Sequence, residues 1–507
     1  MPTFARRWTD AVSTRGDAPF LRFEAPDGAV TEWSYQAFDG LVARVAGGLV
    51  DRGARPGLPI HLALTNSPAF VAVWLAASRL GAWIIPSDPK ATPNELSGHV
   101  ARTQPVVGVG SAERSEVYKT GVRAGPEVVI VDEADPAVAP LAGKPISFAD
   151  FPEPAPGDRA AVMFTSGTTS TPKGVVLTQA NYAFAGDVMA AAAALRGTDR
   201  QLVVLPMFHA NAQYYSFASA ISVGASVALM HTFSATRFLD QAARHQATHA
   251  SLFAAPMRMI LARGATPVAG LRLTHCWYAQ NITEEQYDTM AGLLGCRPRQ
   301  LYGMTETIPA VLTNRALDPI ADAMGEVTLG CHVELRGEDD GRPVGEDEIG
   351  EIVIGGVPGS TLFAGYLDDP DTTARSYRDE LFRSGDLAIR HGDRFFFAGR
   401  QSDVLKVAGE NVSVVEIEAT LTAHPSVLEA AVVGEPDEIR DEVPVAFVVQ
   451  EPGKPTLEVD DVARWCEERL SKVKRPIRIE IVDELPRTSV GKIRKFMLKS
   501  STTARGS

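Results

Sequence analysis

The amino-acid sequence predicts an α/β protein: a large N-terminal α/β body that includes a β-rich subdomain, followed by a small α+β C-terminal domain. Three observations carry that prediction. The chain has 507 residues, 45% apolar and 22% charged, which is enough material for a sizeable core and excludes a disordered or fibrous chain. From about residue 58 to 300, short β-rich apolar runs alternate with helix-period stretches, the pattern of a parallel sheet covered by helices. After Tyr302 Gly and Pro become frequent, and after Gln401 short strands and helices resume.

In chain order, strands are expected at Pro59–Leu64, Val128–Val131, Leu202–Leu205, Ala225–Met230 and His249–Phe253, each a short apolar run. Between the last two, Ser234–Gln246 reads as a helix with Ser234 as N-cap and Phe238, Leu239, Ala242 and Ala243 as one apolar stripe. Thr283–Gly295 is a second helix, opened by a Thr-x-x-Gln capping box at Thr283 and Gln286. Gly350–Ile354 and Arg394–Ala398 are strands of the β-rich subdomain. The last unit should hold helices at Val414–Ala423 and Val459–Leu470 and strands near Ala430–Val433, Val445–Val449 and Ile477–Val482. The expected division is 1–400 for the body, 401–499 for the C-terminal domain and 500–507 for a disordered tail. The segments are too irregular to form a repeat.

Charge narrows the partners. Forty-nine Lys and Arg face 62 Asp and Glu, a formal charge of −13. This disfavours non-specific binding to nucleic acid or to an anionic membrane, and any anionic substrate must be met by local positive groups. Cys276, Cys296, Cys331 and Cys466 form no C-x-x-C pair, which points to free thiols in a reducing, cytoplasmic compartment. Trp8, Thr9 and Asp10 follow Arg6 and Arg7 where a secretory signal would be apolar. The most apolar stretch, Phe70–Ile85, is broken by Ser78 and Arg79 and falls short of the ~20 residues of a membrane span.

The most informative stretch is Phe164-Thr-Ser-Gly-Thr-Thr-Ser-Thr-Pro-Lys-Gly174, directly after an apolar strand. It reads as a phosphate loop: Gly167 lets the backbone approach a polyanion, clustered hydroxyls donate, and Lys173 adds charge. It is not a Walker loop, since Pro172 stands where the second glycine belongs and Gly174 follows the lysine. The bland alternative for this stretch alone is a solvated Ser/Thr/Gly surface loop. Leu301-Tyr-Gly-Met-Thr-Glu-Thr307, Ser384-Gly-Asp386, Gly399-Arg400 and Leu485-Pro-Arg-Thr-Ser-Val-Gly-Lys-Ile-Arg-Lys495 follow it in order. Together, over about residues 5 to 498, these five motifs resemble the adenylate-forming superfamily of acyl-CoA synthetases, peptide synthetase adenylation domains and luciferases. Phe363–Tyr366, Gly409–Ser413 and Tyr302–Ile308 are most similar to the carnitine or crotonobetaine CoA ligase type.

The resemblance implies roles residue by residue. Thr165, Ser166, Gly167, Thr168, Thr169 and Lys173 would grip the β- and γ-phosphates of ATP, Tyr302 would stack on the adenine, and Gly303 would belong to the nucleotide site. Thr305 would contact the α-phosphate and Glu306 would hold Mg2+, a hard cation suited to oxygen ligands. Asp386 would accept the ribose hydroxyls beside Arg400. Ala279, Gln280 and Asn281 would neighbour the nucleotide, although Trp277-Tyr-Ala-Gln-Asn281 departs from the small-residue run usual in the family. Lys492 would reach the site from a mobile C-terminal domain during adenylation; a rotation would then bring the Lys406–Gly409–Glu410 face up for attack by CoA. The hinge falls at Ser402 or Asp403. Bland readings stand beside these: Lys492 in a solvated basic tail, Thr305 and Glu306 as helix caps, Asp386 as a turn aspartate.

His209, after Pro206-Met-Phe, sits where the family places a residue between acyl pocket and nucleotide, or is a packed core histidine. His231, His245, His249 and His275 show no metal-ligand spacing. The acyl pocket should draw on Phe208–Phe217, Phe253–Met257, Trp277–Gln280 and Met304–Ala310, with Asn211, Gln213, Tyr214, Tyr215 and Gln280 as polar anchors. That set suits a short or medium polar acid, or a cinnamate-like aromatic one. The expected activity is an ATP-dependent acid–CoA ligase. The alternatives are adenylation with transfer to an amine or carrier protein, activation of nitrite to diazotise an aromatic amine, and a non-catalytic binding protein. A homodimer is compatible with the resemblance.

Overall fold

The computed structural model describes residues 1–123, 125–165, 172–337, 340–400, 404–407, 410–437, 440–487, 493–495 and 497–498; the expected tail 500–507 and the hinge candidates Ser402 and Asp403 lie outside them. Two compact units emerge. The first comprises 1–334, 353–384 and 392–395, and the second 335–352, 385–391 and 396–507. Among the described residues, no helix is long and apolar enough to cross a membrane.

The first unit is built on strands β1 (Pro19–Glu24), β2 (Val30–Ser34), β3 (Pro59–Ala63), β4 (Trp83–Pro86), β5 (Val107–Ser111), β6 (Glu127–Val131), β7 (Arg159–Thr165), β8 (Lys173–Thr178), β9 (Arg200–Val203), β10 (Ser226–Met230), β11 (His249–Phe253), β12 (His275–Ala279) and β13 (Arg299–Tyr302). Runs such as Trp83-Ile-Ile-Pro86 are buried throughout, as parallel strands covered on both faces require. The single sheet expected over residues 58–300 is in fact two. One runs Gly365–Tyr366, β8, β7, β4, β3, β5, β6, and within the other the order is β13, β12, β11, β9, β10, β1, β2. Apolar periodicity marks each βα unit but carries no register information, so it does not tell which sheet a strand joins.

In the second sheet the pairs from β13 to β1 are parallel, with β1–β2 an antiparallel hairpin. One face, with Leu202, Ala250, Leu252, Cys276 and Tyr278, forms a core with the helices Phe238–Arg244, Ala254–Ala262 and Glu284–Leu294. The expected capping box is present at Thr283 and Gln286. The cap expected at Ser234 is not: the helix starts at Phe238 after Arg237, without a side-chain cap. Instead Ser234 O accepts from Arg237 N in a turn, and its hydroxyl meets Thr236 Oγ1. β9 also ends earlier than expected, at Val203. Beyond it, Leu205 O accepts from the buried Asn66 amide, which also bonds Met230 O and Met207 N, so Asn66 pulls the chain out of the ladder and fixes the start of the Pro206–His209 loop.

The second unit centres on a five-stranded sheet that includes the antiparallel hairpins Val404–Val407/Glu410–Ser413 and Val427–Asp437/Asp441–Gln450 and the strand Arg478–Val482. Its helices Val414–Thr422 and Val459–Arg469 contribute Ile417, Leu421, Val462 and Cys466 to a core over one face of the sheet.

Candidate active site

β7 and β8 form a hairpin whose register pairs Thr165 with Lys173, so these two residues frame the connection 166–172. The pair Gly365–Tyr366 continues the sheet on β8, opposite Val176 and Val175. Leu367 N bonds Gly174 O at 2.7 Å, and a Cβ on Gly174 would lie 3.1 Å from the Leu367 side chain; a glycine there lets Leu367 pack closely against β8. Tyr366 is thereby set against the lysine, with Lys173 Nζ 4.8 Å from its ring centroid, a cation–π contact. The Tyr366 hydroxyl donates to Glu306 Oε1 at 3.0 Å, and Phe363 N donates to Glu306 O at 3.0 Å.

Glu306 is 6% exposed. Burial first, and then the Glu306 charge, raise the pKa of Tyr366; the same two causes push Tyr377 up to about 12. Burial raises Tyr214 too, with Glu306 among its charged neighbours. The carboxylate thus sits among phenols that stay neutral at physiological pH and leave its field largely intact. Such a site suits a small hard cation held jointly with phosphate oxygens.

The helix Pro93–Thr103, opened by a Thr92/Glu95 capping box, braces the hairpin from behind. Arg102 donates to Pro172 O at 2.6 Å and to Leu367 O at 3.4 Å, and its guanidinium lies 5.0 Å from the Phe164 ring centroid. His99 stacks on Phe164 at 4.1 Å with a 2° interplanar angle. Both legs of the hairpin and the strand carrying Tyr366 therefore meet one helix.

The Tyr302–Ile308 turn is stiff. Met304 N donates to Thr307 Oγ1 and Val311 N donates to Tyr302 O, which leaves Thr305 on the intervening turn. A Cβ on Gly303 would come within 2.9 Å of both Pro309 O and Tyr215 Oη, so this position needs glycine for close approach. Ile308 holds φ +73°, costly for a β-branched residue. Gln280, just after β12, also has φ +73°, while Asn281 Oδ1 accepts from Gln300 Nε2 at 2.7 Å. The two turns that flank the expected nucleotide and acid positions thus both store backbone strain. Among the expected polar anchors, Gln213 is engaged within the fold, accepting from Tyr182 Oη and donating to Met207 O, both at 2.6 Å. Tyr214 Oη donates to Met163 Sδ.

In the second unit, buried Asp386 and Arg400 form an ion pair, Oδ1 to Nε 2.7 Å. Gly385 makes the local kink with φ +72° and donates to Glu351 Oε1. Lys406 pairs in register with Asn411 on the first hairpin.

Comparison with known proteins decides the family. Residues 8–367 match the AMP-binding enzyme family and residues 416–492 match the AMP-binding enzyme C-terminal domain. The chain belongs to the AMP-binding enzyme family. A crotonobetaine/carnitine–CoA ligase of Salmonella agona is 33% identical over 508 residues, covering 97% of this chain and 98% of the relative. ATP-bound MatB from Rhodopseudomonas palustris superposes with a TM-score of 0.87 at 24% identity, over 99% of this chain and 100% of that one. A benzoate CoA ligase from Burkholderia xenovorans gives 0.86 at 24% identity, over 98% and 100%. This AMP-binding enzyme is placed by these likenesses among the adenylate-forming acyl-CoA synthetases, AMP-forming ligases with the expected α/β body and C-terminal domain.

Of the residues expected at the site of this AMP-binding enzyme, the first unit brings together Thr165 with Lys173, and Lys173 with Glu306 through Tyr366. Asp386 and Arg400 meet in the second. His209 stands at the end of the Pro206 turn, its N–H bonded to Pro206 O and its ring 4.7 Å from that of Phe208. His231, His245, His249 and His275 have hydrogen-bond partners within the fold, among them Glu24 for His245 and Arg299 for His275. Ser166, Gly167, Thr168, Thr169, Gly409 and Lys492 lie outside the described residues. Arg102 and His99 were missed by sequence reasoning, and Tyr366 entered it only within the Phe363–Tyr366 likeness, without a role. Tyr366 and Glu306 are 60 residues apart, so no local spacing signals their contact.

Proposed function

We propose that the chain is an ATP-dependent acid–CoA ligase acting in two steps. In the first, a carboxylate oxygen attacks the α-phosphorus of ATP, the bond to the β-phosphate breaks, and pyrophosphate leaves an acyl adenylate. In the second, the CoA thiol attacks the acyl carbon, loses its proton, and AMP departs. The observation that carries this reading is the Lys173–Tyr366–Glu306 arrangement at the end of the β7–β8 hairpin, in a chain whose relative bears the name of a CoA ligase.

Two anions must meet in the first step, so positive charge at the reacting phosphate decides the rate. Lys173 neutralises the β- and γ-phosphates from the hairpin, with Thr165 donating beside it. Glu306 and phosphate oxygens would hold Mg2+, which when bound supplies Lewis-acid charge to the phosphate. Tyr366 orients the carboxylate of Glu306 by its hydrogen bond. Thr305 donates to the α-phosphate, Tyr302 and Gly303 pack on the adenine beside Ala279–Asn281, and Asp386 and Arg400 take the ribose. Lys492 serves adenylation, while Lys406 and Gly409 serve thioester formation. His209 separates acid from nucleotide.

The test is release of AMP and pyrophosphate over a panel of carboxylic acids, with and without CoA. Thioester should accumulate with AMP in a one-to-one ratio. AMP release that never yields thioester would overturn the acceptor, and absence of ATP–pyrophosphate exchange with every acid would overturn adenylation.

A further inference from the structure

The face of the second sheet opposite its helix-packed core carries polar atoms that the fold leaves without hydrogen bonds. Ser251 on β11 and Trp277 on β12 are register partners, so their side chains leave the sheet side by side on one face. Ser251 Oγ and Trp277 Nε1 are both buried, in residues 4% and 1% exposed, and neither atom has a hydrogen-bond partner. The π-helical run Asn211–Ala218 covers this face. Gln201, the register partner of His249 and so on the same face as Ser251, donates to Tyr215 O and Ser219 Oγ on that run and on the turn after it. Asn211 opens this run, four residues before Tyr215. It is 5% exposed, and both its amide nitrogen and its amide oxygen lack partners. Tyr215 in turn abuts Gly303, so this wall adjoins the turn that bears Thr305 and Glu306.

Buried polar atoms without partners are rare in folded proteins and costly to keep. Two of them side by side on this face and two at the start of the run that covers it, with His275 Nε2 a further one on β12, match a ligand that completes their bonds. We infer that Asn211, Ser251 and Trp277 determine acid specificity, selecting a carboxylic acid that bears a neutral group able both to donate and to accept, a hydroxyl being the smallest. Indole N–H donates only, Asn211 Oδ1 accepts only, and a hydroxyl satisfies both at once. The Arg299 guanidinium, 4.6 Å from the indole centroid, makes that N–H a stronger donor. An acid with a plain hydrocarbon tail leaves all four atoms unpaired.

The inference deepens the ligase reading and rests on it, and the experiment separates the two. AMP release is measured for matched acids of one carbon skeleton, with a hydroxyl or with a hydrogen or methyl in its place, in the wild type and in Asn211→Leu, Ser251→Ala and Trp277→Phe. Wild type should favour the hydroxylated acid on kcat/KM by at least about 100-fold. Each substitution should shrink that ratio, Asn211→Leu to below about 10-fold. Equal rates for matched acids in the wild type, or an undiminished ratio in Asn211→Leu and Ser251→Ala, would overturn the inference. Without any acid, Asn211→Leu should melt higher by roughly 1–3 °C, because an uncompensated amide is removed; a lower Tm would show that the amide is bonded within the fold and overturn the inference as well. If no acid releases AMP, the adenylation reading falls, and the melting result still decides the role of Asn211.

Discussion

The hairpin side of the site and the wall formed by β11, β12 and the π-helical run handle their polar groups in opposite ways. Around the hairpin, Lys173, Tyr366, Glu306 and Arg102 all have named partners within 5 Å or at hydrogen-bond distance. On the wall, Asn211, Ser251 and Trp277 keep buried polar atoms with none. The first region is organised before any substrate arrives, which suits a nucleotide whose phosphates are the same in every turnover. The second is left incomplete, which suits the one substrate that must be told apart from its analogues. On the proposed reading, pre-organisation and discrimination belong to different surfaces of the same unit.

The hardest blow to the pre-organised side should be loss of its charges. Lys173→Ala and Glu306→Gln should each lower ATP–pyrophosphate exchange by about 100- to 1,000-fold, and the loss should be common to every acid, because both are proposed to act on ATP and its Mg2+. A loss that depends on the acid would break the division proposed between the two regions. Tyr366→Phe should cost less, about 10-fold on kcat/KM for ATP, the effect of one hydrogen bond to a charged group. Titration of the exchange rate with Mg2+ checks it: the variant should need more metal, and an unchanged Mg2+ midpoint would remove Tyr366 from the orientation of Glu306. Smaller still, Arg102→Ala should raise KM for ATP about 3- to 10-fold with kcat nearly unchanged, and Arg102→Lys should recover only part of it, because a lysine does not reproduce the fork that reaches both Pro172 O and Leu367 O. A fall in kcat alone would make Arg102 a structural residue only.

The sequence exposed these regions unequally, for physical reasons. The Thr283/Gln286 box and the β11 strand are local, set by a few consecutive residues, and both are where the pattern puts them. Ser and Thr hydroxyls near Lys173 let an anion site be expected from one short stretch. The bracing of that stretch by His99 and Arg102 depends on a helix some 70 residues earlier in the chain, and the Tyr366–Glu306 bond on sheet pairing between Gly365–Tyr366 and β8. Neither leaves a trace in spacing. On the acyl wall the residue types were legible but their state was not: Asn211 and Gln213 look alike as amides two positions apart, yet only the structure shows Gln213 held by Tyr182 and Met207 while Asn211 is left open. Ser234 failed as a cap because N-cap propensity is a weak local preference that a turn with Arg237 displaces.

The pre-organised side also carries a pH signature, as the wall does through His249 and His275, whose pKa values burial likewise lowers. Behind the hairpin, His99 Nδ1 meets Ser87 Oγ at 2.7 Å, Ser87 Oγ meets His61 Nε2 at 2.9 Å, and His61 Nδ1 meets Tyr118 Oη at 2.8 Å. Burial, reinforced by His99, lowers the His61 pKa to about 3; burial, reinforced by Arg102 and opposed by Glu95, lowers that of His99 to about 4. Both lie below the ordinary 6.5. Between pH 6.5 and these values the unfolded chain holds protons that the folded chain does not, so stability is complete above about pH 6.5 and falls as the pH drops. Fully buried His61 alone sets a slope of up to about 1.4 kcal/mol per pH unit in that window. Urea midpoints at pH 7.5 and pH 5 should therefore differ in the wild type, and His61→Asn should be less stable at pH 7.5 but show a shallower fall toward pH 5. Because His99 stacks on Phe164 and stays neutral in the folded chain until the pH nears about 4, KM for ATP should hold steady through that window and rise only toward pH 4, before AMP release loses its hydroxyl preference. A His61→Asn variant with the wild-type slope would sink this account, and an acid preference that decays together with ATP affinity would merge the two regions into one.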